Sequence, residues 1–307
     1  MSRYLLLGNK QLKLLIMEKY VNIMLDKAFK TVFGEKQVAI DFINATLEGE
    51  RQVKDLTYLD KEIQPEVIEQ RTVIFDLLCE DVDGSKFVLE MQNCPQHYFF
   101  NRGFYYICRL VSRQGESGAD WKYSLLPVYG IYLLNFSLPE FQSWRTDVVL
   151  ANEATGETFG EVKLKQIYLS FDLFNLREEE CKTPLENMVY ILKNMNLFDM
   201  SPFKEKNDAF KRLLDVANLE AMTSHERAVY DENLKIYRDW RNTLEYAVEE
   251  AEVKGLKKGK IEGIAEGLAE GKAKEQRQIA ANLKNQGVNI ETIAWCTGLS
   301  VEEINEL

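Results

Sequence analysis

The sequence predicts an α/β core followed by an α-helical C-terminal extension, and three patterns carry that expectation. Apolar residues recur at helical spacing over 26–47. Two apolar runs, 73–79 and 87–92, flank an Asp83-Gly84 turn. From about residue 184 onward the periodicity is helical. A helix, an antiparallel hairpin, a helix and further strands, in that order, bury the face of a sheet under helices.

Residues 1–16 read as a leader or start-site extension, because Met17 opens the first amphipathic stretch. Over 26–47, Ala28, Phe29, Val32 and Phe33 line one helical face, Ala39, Ile40, Phe42 and Ile43 another, and Gly34 separates two helices. Residues 53–59 alternate as a strand does. Asp-Gly between apolar runs is a specific hairpin signal. A helix is expected over 96–115 and strands over 128–136 and 167–171. A break is expected at Met200-Ser201-Pro202, since proline cannot continue a helix.

The expected organisation is a core over 17–175, a helical extension over 176–250, a glycine-spaced Lys/Glu helix over 251–278 and a small bundle over 279–307. Gly255, Gly259, Gly263, Gly267 and Gly271 recur every four residues. Each helical glycine costs roughly 1 kcal/mol against alanine. The repeat fits close contact with a partner helix, which makes the C-terminal helices candidates for homo-oligomer contacts. It fits a pliable or solvated connector equally. Gly298-Leu299-Ser300 has a helix-turn-helix cadence, with Ser300 as N-cap and Glu303 closing a capping box. The last helix carries Glu302, Glu303 and Glu306 and no basic residue, which suits an interaction bundle better than a groove reader.

The chain has 307 residues, with 38 Lys and Arg against 49 Asp and Glu, giving a net charge of −11. A hydrophobic fraction of 46% excludes a disordered or collagenous chain. Taken whole, the charge repels nucleic acid. Cys79, Cys94, Cys108, Cys181 and Cys296 lack CxxC spacing, and His97 and His225 are the two histidines. That pattern speaks against a zinc site or disulfide framework and for a reducing, cytoplasmic setting. No apolar run reaches membrane-spanning length, so no membrane partner is expected.

With few histidines, carboxylates are the candidates for catalysis. Asp76 lies in an apolar run, and Glu90 sits in the next strand between Leu89 and Met91. Strand alternation puts Gln92 on the same face as Glu90. Two converging carboxylates resist joint ionisation, and a divalent cation relieves that. Mg²⁺ or Mn²⁺ held by Asp76, Glu90 and the Met91 carbonyl would acidify a water beside a phosphate, with Gln92 orienting it. From spacing alone, Asp76 and Glu90 also fit solvent-facing edge-strand residues.

The hairpin Asp76…Glu90-Met91-Gln92 resembles the PD-(D/E)XK nuclease core in its (D/E)-x-Q variant, as in recombination-promoting nucleases and transposase-like proteins. Asp26-Lys27-Ala28-Phe29-Lys30-Thr31-Val32-Phe33-Gly34 is similar to that family's opening helix, and Asp41-Phe42-Ile43-Asn44-Ala45 to its second. Gln114-Gly115, Leu126-Pro127-Val128-Tyr129 and Leu134-Asn135-Phe136 are similar to the segments that follow, and Thr297-Gly298-Leu299-Ser300 to its C-terminal end.

The resemblance implies a restriction-endonuclease-like core, a central mixed sheet flanked by helices, and a metal-dependent DNA endonuclease associated with mobile elements or recombination. It implies that Asp76 and Glu90 are metal ligands, that Gln92 stands in place of the usual catalytic lysine, and that Asp26 is the acidic residue of the first helix. Ile23-Met24-Leu25 depart from the Pro-Phe-Thr-like run usual before Asp26. The alternative is a catalytically weak or inactive DNA-binding or assembly protein that keeps the fold. Arg102, Arg109 and Arg113, at i, i+7 and i+11, share one side of an ideal helix with Tyr106 and are the expected DNA contacts. Residues 254–286 add a local charge of +4.

Overall fold

The computed structural model describes residues 18–64, 72–116, 122–158, 164–198 and 207–307. The leader over 1–16 with Met17, and the break at Met200-Ser201-Pro202, lie outside the described residues. The chain divides into two compact units, Met1–Lys235 and Ile236–Leu307.

Among the described residues the first unit has eight strands: β1 (Leu56–Tyr58), β2 (Glu62–Ile63), β3 (Val73–Ile74), β4 (Leu77–Asp81), β5 (Lys86–Gln92), β6 (Val128–Leu134), β7 (Arg145–Val149) and β8 (Leu164–Ser170). Six form a mixed sheet in the order β1-β4-β5-β6-β8-β7, and β2 pairs with β3 separately. β4 and β5 are antiparallel, as the Asp-Gly turn requires, whereas β5, β6 and β8 run parallel. β6 is buried at every position, the mark of a strand covered on both faces. This is the mixed sheet flanked by helices that the sequence leads one to expect.

Two strands differ from expectation. The run 73–79 breaks at Phe75-Asp76: Val73 pairs with Ile63 in the small hairpin, and Leu77 starts the pairing with β5. Phe75 turns into the core, edge-on to Tyr106 at 5.6 Å, and its amide donates to the Lys61 carbonyl at 2.9 Å. Asp76 therefore occupies a bend and not the inside of a strand. β7 has no apolar alternation to betray it. Ion pairs of Asp147 with Arg145 and with Lys165 of β8, both at 2.9 Å, secure this edge strand.

The helices of this unit are α1 (Asp26–Gly34), α2 (Lys36–Thr46), α3 (Phe99–Ser112), α4 (Pro184–Asn194) and α5 (Asp208–Val216), with α6 (Ser224–Asn285) beginning in it. α1 buries Ala28, Phe29, Val32 and Phe33, and Glu35 caps α2 by accepting the Val38 amide hydrogen at 2.7 Å. α4 and α5 pack on α2, and Arg212 reaches Asp41 at 2.6 Å. Beyond α2, Glu50 accepts from Lys165 at 2.6 and 2.8 Å, and Arg51 pairs with Asp81 and Asp83. These contacts fasten the helical layer to the edge of the sheet where β5 and β8 begin.

In the second unit the C-terminal part of α6 packs against α7 (Ile290–Thr297) and α8 (Val301–Asn305) around Ala280, Ile293 and Ile304. Ser300 caps α8 in a reciprocal box with Glu303, and the Lys284 ammonium donates to the Ile304 and Asn305 carbonyls. The five evenly spaced glycines lie within α6, and a Cβ on any of them meets nothing within 4 Å among the described residues.

Tyr132 stacks on Tyr168 with ring centres 4.9 Å apart, and a Cβ at Gly130 would come within 2.7 Å of its ring. Both rings are buried and cannot swing away. Gly130→Ala is expected to lower stability by about 1–3 kcal/mol through overpacking. Gly34→Ala, with open space around it, should lose nothing. Urea unfolding reads both, and an unchanged midpoint for Gly130→Ala would contradict this packing.

Candidate active site

The bend at Asp76 and the end of β5 meet at the sheet edge opposite the Glu50 and Arg51 fastenings. Leu77 pairs with Leu89, so Asp76 stands one step further along the register, facing Glu90. The Met91 amide donates to Asp76 Oδ2 at 3.1 Å, and the Gln92 side-chain amide to Glu90 Oε2 at 3.5 Å. Glu90 is 6% exposed, and among the described residues its Oε1 has no hydrogen-bond partner.

The first helix is brought to this edge by Asn93, whose Nδ2 donates to the Met24 carbonyl at 2.7 Å. Asp26 and Lys30, one turn apart on α1, then stand beside Asp76. Lys30 Nζ is 2.5 Å from Asp26 and 3.7 Å from Asp76.

Burial raises the Asp76 carboxyl above the usual range against the pull of the Met91 amide and Lys30, with Asp26 adding to the rise. Burial, then the negative charge of Asp76, pushes Glu90 up to about 8, and Arg102 opposes this. Burial works against the Lys30 charge, and Asp26 and Asp76 outweigh it, so that its pKa goes up. The arrangement is a half-buried Asp76 facing a buried, under-compensated Glu90 at the rim of the sheet, and both carboxyls are raised.

A family model described as PD-(D/E)XK nuclease family transposase matches residues 23–247. The chain belongs to that family. No curated protein and no solved structure matches it significantly. The mixed sheet flanked by helices is the restriction-endonuclease-like fold of PD-(D/E)XK nucleases, and membership links the chain at family level to a nuclease of transposition. Such nucleases generally use divalent metal ions, and DNA is the substrate the family implies. Among the described residues no helix is long and apolar enough to cross a membrane.

Among the described residues no three His, Cys, Asp or Glu side chains enclose a cation by themselves. The Asp76–Glu90 pair nevertheless fits one. The unpartnered buried oxygen of Glu90 and the raised carboxyls of both residues are what a positive charge would relieve, and Mg²⁺ characteristically takes one or two carboxylates and keeps its waters.

Asp26, Asp76, Glu90, Met91 and Gln92 thus come together. The basic stripe expected on α3 does not form one open face. Arg102 lies near enough to Glu90 to oppose its rise and bonds Gln96 at 2.6 Å. Arg109 is buried, with a nitrogen 3.5 Å from the Gln64 carbonyl, and Tyr106 packs on Phe75. Arg113 lines a cleft of about 540 Å³ with Leu59, Lys86 and Leu126, away from the carboxylates. The reason is that α3 buries Phe99, Gly103, Ile107 and Leu110, and the flank carrying Arg109 and Tyr106 is covered with them. Sequence reasoning missed Lys30 and Asn93. The i, i+4 spacing of Asp26 and Lys30 was a visible sign of the first.

Glu90 binds its proton more tightly in the folded chain than in the unfolded one, so folding takes up a proton between about pH 4.5 and 8. In chelator, stability should be fullest below about pH 4.5 and fall as pH rises through about 8. Glu90→Gln should flatten that decline, at about 1.4 kcal/mol per pH unit removed. Thermal melts from pH 4 to 9 check it, on the order of one melt per pH unit. Parallel curves for wild type and Glu90→Gln would contradict the buried placement.

Proposed function

We propose that the chain is a divalent-cation-dependent DNA endonuclease that hydrolyses phosphodiesters in transposition or recombination of mobile elements. The observation that carries this reading is the buried Glu90 carboxylate, one oxygen unpartnered among the described residues, facing Asp76 across the β4–β5 hairpin. Asp76, Glu90 and the Met91 carbonyl are the proposed ligands of Mg²⁺ or Mn²⁺. When bound, such an ion supplies Lewis acidity, lowering the pKa of a coordinated water and offsetting charge that develops on the phosphate.

The Met91 amide fixes the Asp76 carboxylate, so one ligand is already oriented by a rigid strand. Gln92, two residues beyond Glu90, orients the attacking water through its side-chain amide. Asp26 adds negative charge that holds the basic side chain on α1. Arg102 offers its guanidinium to a phosphate oxygen, and the exposed Arg113 at the end of α3 is a further proposed DNA contact, whereas the buried Arg109 and the packed Tyr106 support α3 from beneath. The net charge of −11 confines DNA contact to such local surfaces. The C-terminal helices are proposed to carry self-association, and the cytoplasm is the proposed setting.

Nicking of supercoiled plasmid in Mg²⁺ or Mn²⁺ tests the reading. Asp76→Asn and Glu90→Gln keep shape and remove charge. Each should lose two orders of magnitude or more in rate, on the order of what a lost transition-state stabiliser costs. Nicking by the variants at the wild-type rate, or none by any protein with DNA binding retained, would favour a DNA-binding or assembly protein on the nuclease fold.

A further inference from the structure

The carboxylate cluster already holds a cation of its own, and its position has a consequence for the divalent ion. Lys30 Nζ is 2.5 Å from Asp26 and 3.7 Å from Asp76 Oδ1, whereas Asp76 Oδ2 takes the Met91 amide. The ammonium therefore covers the Asp76 oxygen that the backbone leaves open. It does nothing for Glu90 Oε1, which has no hydrogen-bond partner among the described residues. Compensation is lopsided: Asp26 and Asp76 share a positive charge, and the buried Glu90 is left with the more distant Arg102.

A divalent ion bound to Asp76 Oδ1 at about 2.1 Å would come within roughly 6 Å of this ammonium, at the range where unit charges interact by several times thermal energy in a protein. Both cannot hold the same oxygen without repulsion. The lysine is the partner that can leave, since its side chain is 31% exposed and its four-carbon stem is flexible. Gln92, the motif side chain nearest Glu90, carries no charge to meet a phosphate. A lysine displaced from Asp76 but still tethered through Asp26 would face whatever anion the ion brings in.

We propose that Lys30 is the resident counter-ion of the cluster, gives up Asp76 when a divalent ion binds, and then serves as the ammonium contact for the substrate phosphate. The exchange rests on the cation reading above. Lys30 then has two opposed effects, weakening ion binding and promoting the reaction, and a merely structural side chain has no reason to do both.

Calorimetry with Mn²⁺ alone, on the full chain without DNA, separates them. Lys30→Met should bind Mn²⁺ about tenfold more tightly than wild type, the Coulomb effect being discounted for partial exposure. Lys30→Arg, which keeps the charge, should stay within about threefold of wild type. At saturating Mn²⁺ the cleavage rate of Lys30→Met should fall at least tenfold despite the tighter ion, on the order of one lost phosphate contact. Should Lys30→Met fail to fold, Lys30→Gln carries the same expectations. If wild type binds Mn²⁺ and the neutral variant binds it no more tightly, or cleaves as fast, the exchange is overturned. If neither wild type nor variants bind Mn²⁺, the cation reading itself fails.

Discussion

A buried carboxylate on an interior strand, one residue past the end of the β4 pairing, is the constraint around which this unit is arranged. Glu90 pairs with Tyr132 of β6 on one side and faces the bend at Asp76 on the other, and burial there pushes its pKa up to about 8, whereas the proposed ligand role needs it charged. Ionising it without a partner costs several kcal/mol. Asp76 stands opposite and makes matters worse. A natural sequence that keeps such a pair spends stability gained elsewhere, and the pair becomes favourable only with positive charge present.

The surrounding structure supplies that stability and the geometry together. At the far edge of the sheet Glu50 and Arg51 tie the helical layer to β8 and to the β4–β5 turn. Next to the site, Phe99, Phe136, Phe141, Tyr132 and Tyr168 form a buried aromatic cluster that stiffens the ends of β6 and β8 and the start of α3. Asn93 links the end of β5 to the segment before α1. Glu90 therefore sits on a rigid strand and Asp76 on a bend fixed by the Met91 amide, while the basic groups, Lys30 and Arg102, come from helices. That division suits a site in which ligands must be preorganised and a cation must move.

Much of this was legible in the sequence. Asp83-Gly84 marked the hairpin, and the spacing from Asp76 to Glu90-Met91-Gln92 marked the cluster, because both are local and carried by residue type. The break at Phe75-Asp76 was not legible, since an apolar run looks the same whether it serves one sheet or two. β7 was hidden because ion pairs to Lys165, a long-range feature, secure it in place of alternation. The arginine stripe on α3 misled for a related reason. Helical spacing places side chains on a face but does not say which flank a neighbouring segment will cover, and the buried Arg109 meets the Gln64 carbonyl. Net charge was the least informative quantity, since the repelling body and the local basic groups are summed in it.

The proposed site places a divalent ion between Asp76 and Glu90. Anomalous diffraction from crystals grown with Mn²⁺ tests it most directly. A single strong peak within coordination distance of Asp76 Oδ1 and the Glu90 carboxylate is the expected result, with Lys30 turned away from Asp76. Peaks elsewhere on the protein, with Glu90 still without a partner and Lys30 still on Asp76, would contradict it.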